Sequence, residues 1–87
     1  MSLESATGAY RFTVEGAASP DLPLRILNLF AQQDLAYDRV AIARDADRYA
    51  ISVDHHDLPA ERADVILEKM RAMVLVDRAG LEISPPT

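Results

Sequence analysis

"YRFTVEGAASPDLPLRILNLF", Tyr10 to Phe30, changes its hydrophobic period part-way along, and that change decides the fold. Tyr10, Phe12 and Val14 alternate with Arg11, Thr13 and Glu15, the period of two that marks a half-buried strand. After the loop "GAASPD" the apolar positions become Leu22, Ile26, Leu29 and Phe30, at i, i+4, i+7 and i+8 on one helical stripe. Pro23 disfavours helical dihedrals at Leu22, so the helix is expected to start near Pro23, with Asp21 or Leu22 at its cap. Leu24, Leu27 and Ala31 fall outside the stripe. They read either as a broadened core face or as a contact face for another subunit.

The pattern then repeats with an extra strand. Asp34 stops the helix, and residues 36–45 and 48–54 hold two strand candidates around the polar turn Asp45-Ala46-Asp47. Val40 and Ile42 alternate in the first, Tyr49, Ile51 and Val53 in the second. Asp57 and Pro59 supply a capping acid and a first-turn proline for a second helix. Its apolar stripe is Ala63, Ile66, Leu67, Met70, Met73 and Val74, opposite Asp64, Glu68, Lys69 and Arg71. A last strand runs from about Leu75 to Ile83, before Pro85 and Pro86. The order β-α-β-β-α-β predicts an α+β class fold, a ferredoxin-like βαββαβ sandwich. Its four-stranded antiparallel sheet has order 4-1-3-2, with both helices on one face. Residues 1–9 read as a flexible N-terminus, 10–83 as the domain and 84–87 as a C-terminal tail.

Composition narrows the function. Eighty-seven residues make one domain, and a core this small is marginal alone. With 49% apolar residues, pairing with a partner is expected. The net charge of −5 and the single Lys69 give no basic cluster for phosphates, so neither nucleic acid nor an anionic membrane is expected as a partner. Cysteine is absent, which removes disulfides, thiolate nucleophiles and Cys-based metal sites. No apolar run approaches a membrane span or opens a signal peptide, and a cytoplasmic location is expected.

A search for catalysis finds little. His55 and His56 are adjacent, and neighbours on a strand point to opposite faces, so they do not converge on one metal. With Asp54 and Asp57 beside them a loose divalent-metal site is the sharper reading, and a polar loop the plainer one. Neither a nucleophile elbow nor a phosphate-cradling glycine loop is present, with only three glycines in all. An acylphosphatase-like enzyme would need an arginine in an anion-cradling first loop, and "EGAASPD" supplies an aspartate. RNA binding would need aromatics on the sheet face away from the helices, whereas Tyr10, Phe12 and Tyr49 belong to the inward sets. The chain reads as a non-enzyme without cofactors.

"PDLPLRILNLFAQQDLAYDRVAIA" resembles the first helix and second strand of ACT domains. Pro20, Arg25, Leu29, Phe30, Leu35 and Tyr37 match the family's register there without a gap. Within the family the chain looks most like the short regulatory subunits of acetolactate synthase, also through "KM...MVLVD" from Lys69 to Asp77. The resemblance implies a non-catalytic subunit of branched-chain amino acid biosynthesis that forms a homodimer and binds a catalytic large subunit. It also implies a small amino acid effector at the dimer interface. The candidate ligand-binding residues are Gly16, Ser19, Asp21, Leu22, Arg25 and Tyr37, and the candidate partner interface is Leu24 with Leu27. The chain departs from the amino-acid-binding pattern at Ala18, Asp21 and Ala36. Two roles therefore stand side by side, a structural activator and an amino-acid sensor.

Overall fold

The computed structural model describes residues 7–83. In chain order the elements are β1 (Thr7–Ala17), α1 (Asp21–Gln32), β2 (Arg39–Asp45), β3 (Arg48–Pro59), α2 (Ala60–Arg71) and β4 (Val76–Ile83). The sheet is antiparallel throughout, in the order β2-β3-β1-β4, which is 4-1-3-2 read from the other edge. The expected ferredoxin-like sandwich is therefore the observed fold. β1 starts at Thr7, inside the segment expected to be a flexible N-terminus. The expectations for residues 1–6 and 84–87 lie outside the described residues.

The register explains which side is buried. Val14 pairs with Ile51 and with Ala79, and Phe12 with Val53 and with Leu81. Residues paired across strands point to the same face, and this face receives the helices. Phe12, Val14, Ile51 and Val53 meet Leu22, Ile26, Leu29 and Phe30 from α1, and Ala63, Ile66 and Met70 from α2. The α1 stripe read from the sequence is thus the buried stripe.

Four local readings are corrected. α1 begins at Asp21 with Pro20 at its cap, two residues before Pro23. A proline in the first turn removes an N–H that has no intrahelical acceptor, and the core position of Leu22 overrides the bias from Pro23. Asp57 does not cap α2. β3 runs on to Pro59, which stands at the cap in an extended conformation. Asp57 sits in a β-bulge at φ 60°, where Ala9 of β1 faces both His56 and Asp57, a conformation aspartate tolerates better than most residues. Val74 does not continue the α2 stripe, because the helix ends at Arg71 and Val74 is 96% exposed in the following turn. β2 begins at Arg39, not residue 36, once Asp38 has donated its N–H to the carbonyl of Asp54 (2.8 Å).

Candidate functional site

A cleft opens where the β1–α1 loop meets the α2–β4 turn. Gly16 sets the distance between them, because a Cβ there would come 2.2 Å from the Leu75 carbonyl oxygen. The N–H of Ala17 donates to that same oxygen at 3.2 Å. The turn is therefore drawn against the loop, leaving a cleft of about 530 Å³. Ser19, Asp21 and Arg25 line one wall and Ala72 to Leu75 the other. The Asp21 carboxylate and the Arg25 guanidinium lie 3.9 Å apart, one helical turn from each other and both exposed.

The helix start itself offers little to an anion. The N–H of Asp21 donates to Ser19 Oγ (3.3 Å), and that of Leu22 to the Ser19 carbonyl (3.0 Å). Pro23 has no N–H. The usual grip of a helix N-terminus on a carboxylate is thus already filled from within the chain. Asp21 adds a fixed negative charge at the same point, favourable to the helix dipole. Among the described residues lining the cleft, Arg25 carries the one cationic side chain.

Of the sequence-derived candidates, Ser19, Asp21 and Arg25 share this cleft. Gly16 lies beneath it and Leu22 is fully buried, close enough to Gly16 that an added Cβ would meet its Cδ2 at 3.0 Å. Tyr37 lies beyond the C-terminal end of α1, edge-on to Phe30 with ring centroids 6.1 Å apart. Leu24 is 67% exposed on the outer side of α1, while Leu27 is partly buried and packs on the core. Sequence reasoning missed the wall of Met73, Val74 and Leu75, which stands some fifty residues from the loop it faces.

The opposite end of the sheet carries the histidines. His55 is only 8% exposed and stacks on Phe30, with its Nδ1 buried and without a hydrogen-bond partner among the described residues. His56 points outward. Its backbone N–H and its Nδ1 both meet Asp38 Oδ2 at 2.7 Å, so one carboxylate serves the N–H that the bulge removes from the ladder. Asp54 is taken by a two-point pair with Arg11 (2.8 and 3.2 Å), which holds its carboxyl below the usual range. No group of three or more metal-ligating side chains converges among the described residues.

This latch has a pH signature. The hydrogen bond to Asp38 raises the His56 pKa above its ordinary 6.5, and the same bond lowers that of Asp38 below 3.8. The raised histidine contributes stability fully below pH 6.5 and loses it as pH rises through the folded-state value. The lowered aspartate contributes above pH 3.8 and loses it as pH falls through its folded value. The latch is therefore strongest between those limits. An NMR titration of the His56 ring is expected to give a midpoint above 6.5, and Asp38→Asn to return it toward the free value.

Comparison with known families adds the decisive observation: a family profile described as an ACT-like domain matches residues 3–86. The chain belongs to the ACT-like domain family. Domains of this family are generally non-catalytic regulatory modules. Among solved structures, this ACT-like domain is similar to the ACT domain of GTP pyrophosphokinase from Chlorobium tepidum. The TM-score is 0.77 at 8% identity, over 88% of this chain and all of that one. It is similar to the C-terminal domain of the MgtC protein from Mycobacterium tuberculosis, with TM-score 0.70 at 11% identity over 97% and 94% of the two chains. It also matches a homoserine dehydrogenase from Thiobacillus denitrificans (TM-score 0.72, 17% identity), covering 95% of this ACT-like domain and 19% of that chain. Identities this low speak for the fold alone. Curated proteins give no match.

Proposed function

We propose that this ACT-like domain is a non-catalytic regulatory module that receives an apolar α-amino acid in the cleft between α1 and the α2–β4 turn. The observation that carries the reading is the juxtaposition of Asp21, Arg25 and an apolar wall. Unlike charges one turn apart match the two charged groups of a zwitterion. The ligand carboxylate goes to Arg25, the guanidinium offering two parallel donors, and the ammonium to Asp21. The side chain lies against Val74 and Leu75. Asp21, a departure from the family pattern, becomes a ligand group here.

The module acts as a homodimer on a catalytic large subunit in the cytoplasm, without a cofactor. Acetolactate synthase is the partner we favour, supported by the register of Pro20 to Tyr37 and of Lys69 to Asp77. Leu24, exposed beside Arg25 and Asn28, is the centre of the partner face, with Leu27 at its buried margin.

A thermal-shift panel of the twenty amino acids tests the effector. At a hundred times Kd a ligand adds about 2.7 kcal/mol, which raises the midpoint of a domain this size by roughly 10 °C or more. Leucine, isoleucine or valine is expected to give the shift, and Arg25→Ala to remove it. If no amino acid shifts the midpoint, the effector reading fails and the structural activator remains. A shift that survives Arg25→Ala would overturn the pose.

A further inference from the structure

Among the described residues nothing covers the sheet face turned away from the helices, and its side chains follow a simple plan. The register places Arg39, Asp54, Arg11 and Glu82 side by side across β2, β3, β1 and β4. The next row on this face is Ala41, Ser52, Thr13 and Gly80, and the one after is Ala43, Ala50, Glu15 and Arg78. Asp45 and Arg48 close the pattern. A trough of small residues, a shallow concavity of about 350 Å³ around Ala41, Ala43, Ala50 and Ser52, is thus flanked by charged rows. All five aromatic residues of the chain lie elsewhere, on the helix-side face of the strands, on α1 or before β2.

We infer that this face is a homodimerisation surface, the small-residue troughs of two copies meeting sheet to sheet around a two-fold axis. Charge selects a second copy as the occupant. Arg11, Arg39, Arg48 and Arg78 balance Glu15, Asp45, Asp54 and Glu82 on this face, while the chain as a whole carries −5. Asp77 joins them at the margin through its ion pair with Arg48. Two copies therefore approach through a broad surface whose charges cancel, the excess negative charge lying at the ends of the sheet, at Asp34, Asp38, Asp47 and Asp57.

The pattern is also self-complementary. The first row alternates plus, minus, plus, minus across four strands, and reversing it inverts every sign. A two-fold along the strands brings Arg39 over Glu82 and Asp54 over Arg11. A two-fold across the strands, through the row of Ala41, Ser52, Thr13 and Gly80, brings Arg11 over Glu15 and Arg78 over Glu82. Both isologous arrangements oppose unlike charges, and both place the uncharged row at the centre, with the charges toward the rim.

Strands about 4.8 Å apart and residues about 3.3 Å apart give a face of roughly 19 by 20 Å. Two such faces together cover about 760 Å², below the range of stable specific interfaces and in that of weak, transient ones, so the dimer is reversible. This inference rests on the dimerisation in the proposed function and names its surface. The helix-side cleft and the β2 edge stay open.

The chain has no cysteine, so single cysteines report cleanly. Ser52→Cys lies in the central row and Ile42→Cys at the middle of the edge strand. A short bismaleimide is expected to cross-link Ser52→Cys into dimers and to leave Ile42→Cys monomeric. Ala50→Arg is expected to raise the sedimentation dissociation constant at least tenfold, with a melting midpoint equal to that of the wild type at concentrations where both are monomeric. Cross-linking of Ile42→Cys without Ser52→Cys overturns the sheet-to-sheet surface while dimerisation survives. A wild-type chain monomeric at every concentration overturns both.

Discussion

Phe30→Ala is expected to lower the melting midpoint by about 15 °C or more, and to leave little cooperative unfolding at 37 °C. Phe30 is fully buried and is the ring around which the core is organised. It meets Phe12 edge-on at 5.3 Å and Tyr37 edge-on at 6.1 Å, and stacks on His55 at 6.5 Å. Truncating a buried phenylalanine costs about 3–5 kcal/mol from lost transfer energy and the cavity left behind. Against a total stability of about 5–15 kcal/mol, and for a domain whose midpoint moves about 4–8 °C per kcal/mol, that is a large fraction. It would also expose His55 Nδ1 to a void with no partner in it. Thermal and urea melts followed by circular dichroism read the effect. A loss below about 1 kcal/mol would mean that the core collapses into the gap, contrary to its dense packing.

Gly16→Ala is the second large effect, and it connects stability to the cleft. The new methyl would stand 2.2 Å from the Leu75 carbonyl oxygen, 3.2 Å from the Leu75 carbonyl carbon and 3.0 Å from Leu22 Cδ2. The nearest obstacle is backbone, so the α2–β4 turn must move away from β1 and give up the Ala17 N–H to Leu75 bond. Overpacking of this kind costs about 1–3 kcal/mol, occasionally more, and the upper end is expected here. The turn carries Met73, Val74 and Leu75, so any amino-acid-induced shift should vanish with it. Gly80→Ala is the comparison. Its Cβ would meet only Thr13 Oγ1 at 3.3 Å, a side chain that rotates, and a change below about 1 kcal/mol is expected. Equal melting midpoints for the two variants would show that the turn is not held by its approach to Gly16.

The period change after Val14 and its repetition after Val53 made the topology legible, since alternation and helical stripes are consequences of burial on one face. The same logic found the α1 core positions Leu22, Ile26, Leu29 and Phe30. It was weaker where local chemistry has two uses. Asp57 before Pro59 reads as a helix cap, yet the aspartate sits at positive φ in a bulge, because β3 continues to pair with β1 beyond His55. Val74 fits a helical stripe by spacing alone, and only the end of α2 at Arg71 turns it outward. Ser19, Asp21 and Arg25 were found because they are neighbours in sequence. Tyr37 was grouped with them through the family's register, and within one protomer it belongs to the far end of α1.

By itself the sequence determined the element order, the buried faces, the absence of thiol chemistry and the loop where a ligand site would begin. Those follow from periodicity, residue type and short-range spacing, which a linear chain carries openly. Only the tertiary structure decided that Gly16 brings Leu75 within hydrogen-bond reach of Ala17, that the apolar wall opposite Arg25 comes from Met73 to Leu75, and that His56 fastens Asp38 to the bulge. It also decided the rows on the open sheet face, where charges far apart in sequence alternate in sign. Each of these joins residues distant along the chain, and strand register, which no local pattern states, determines which of them meet.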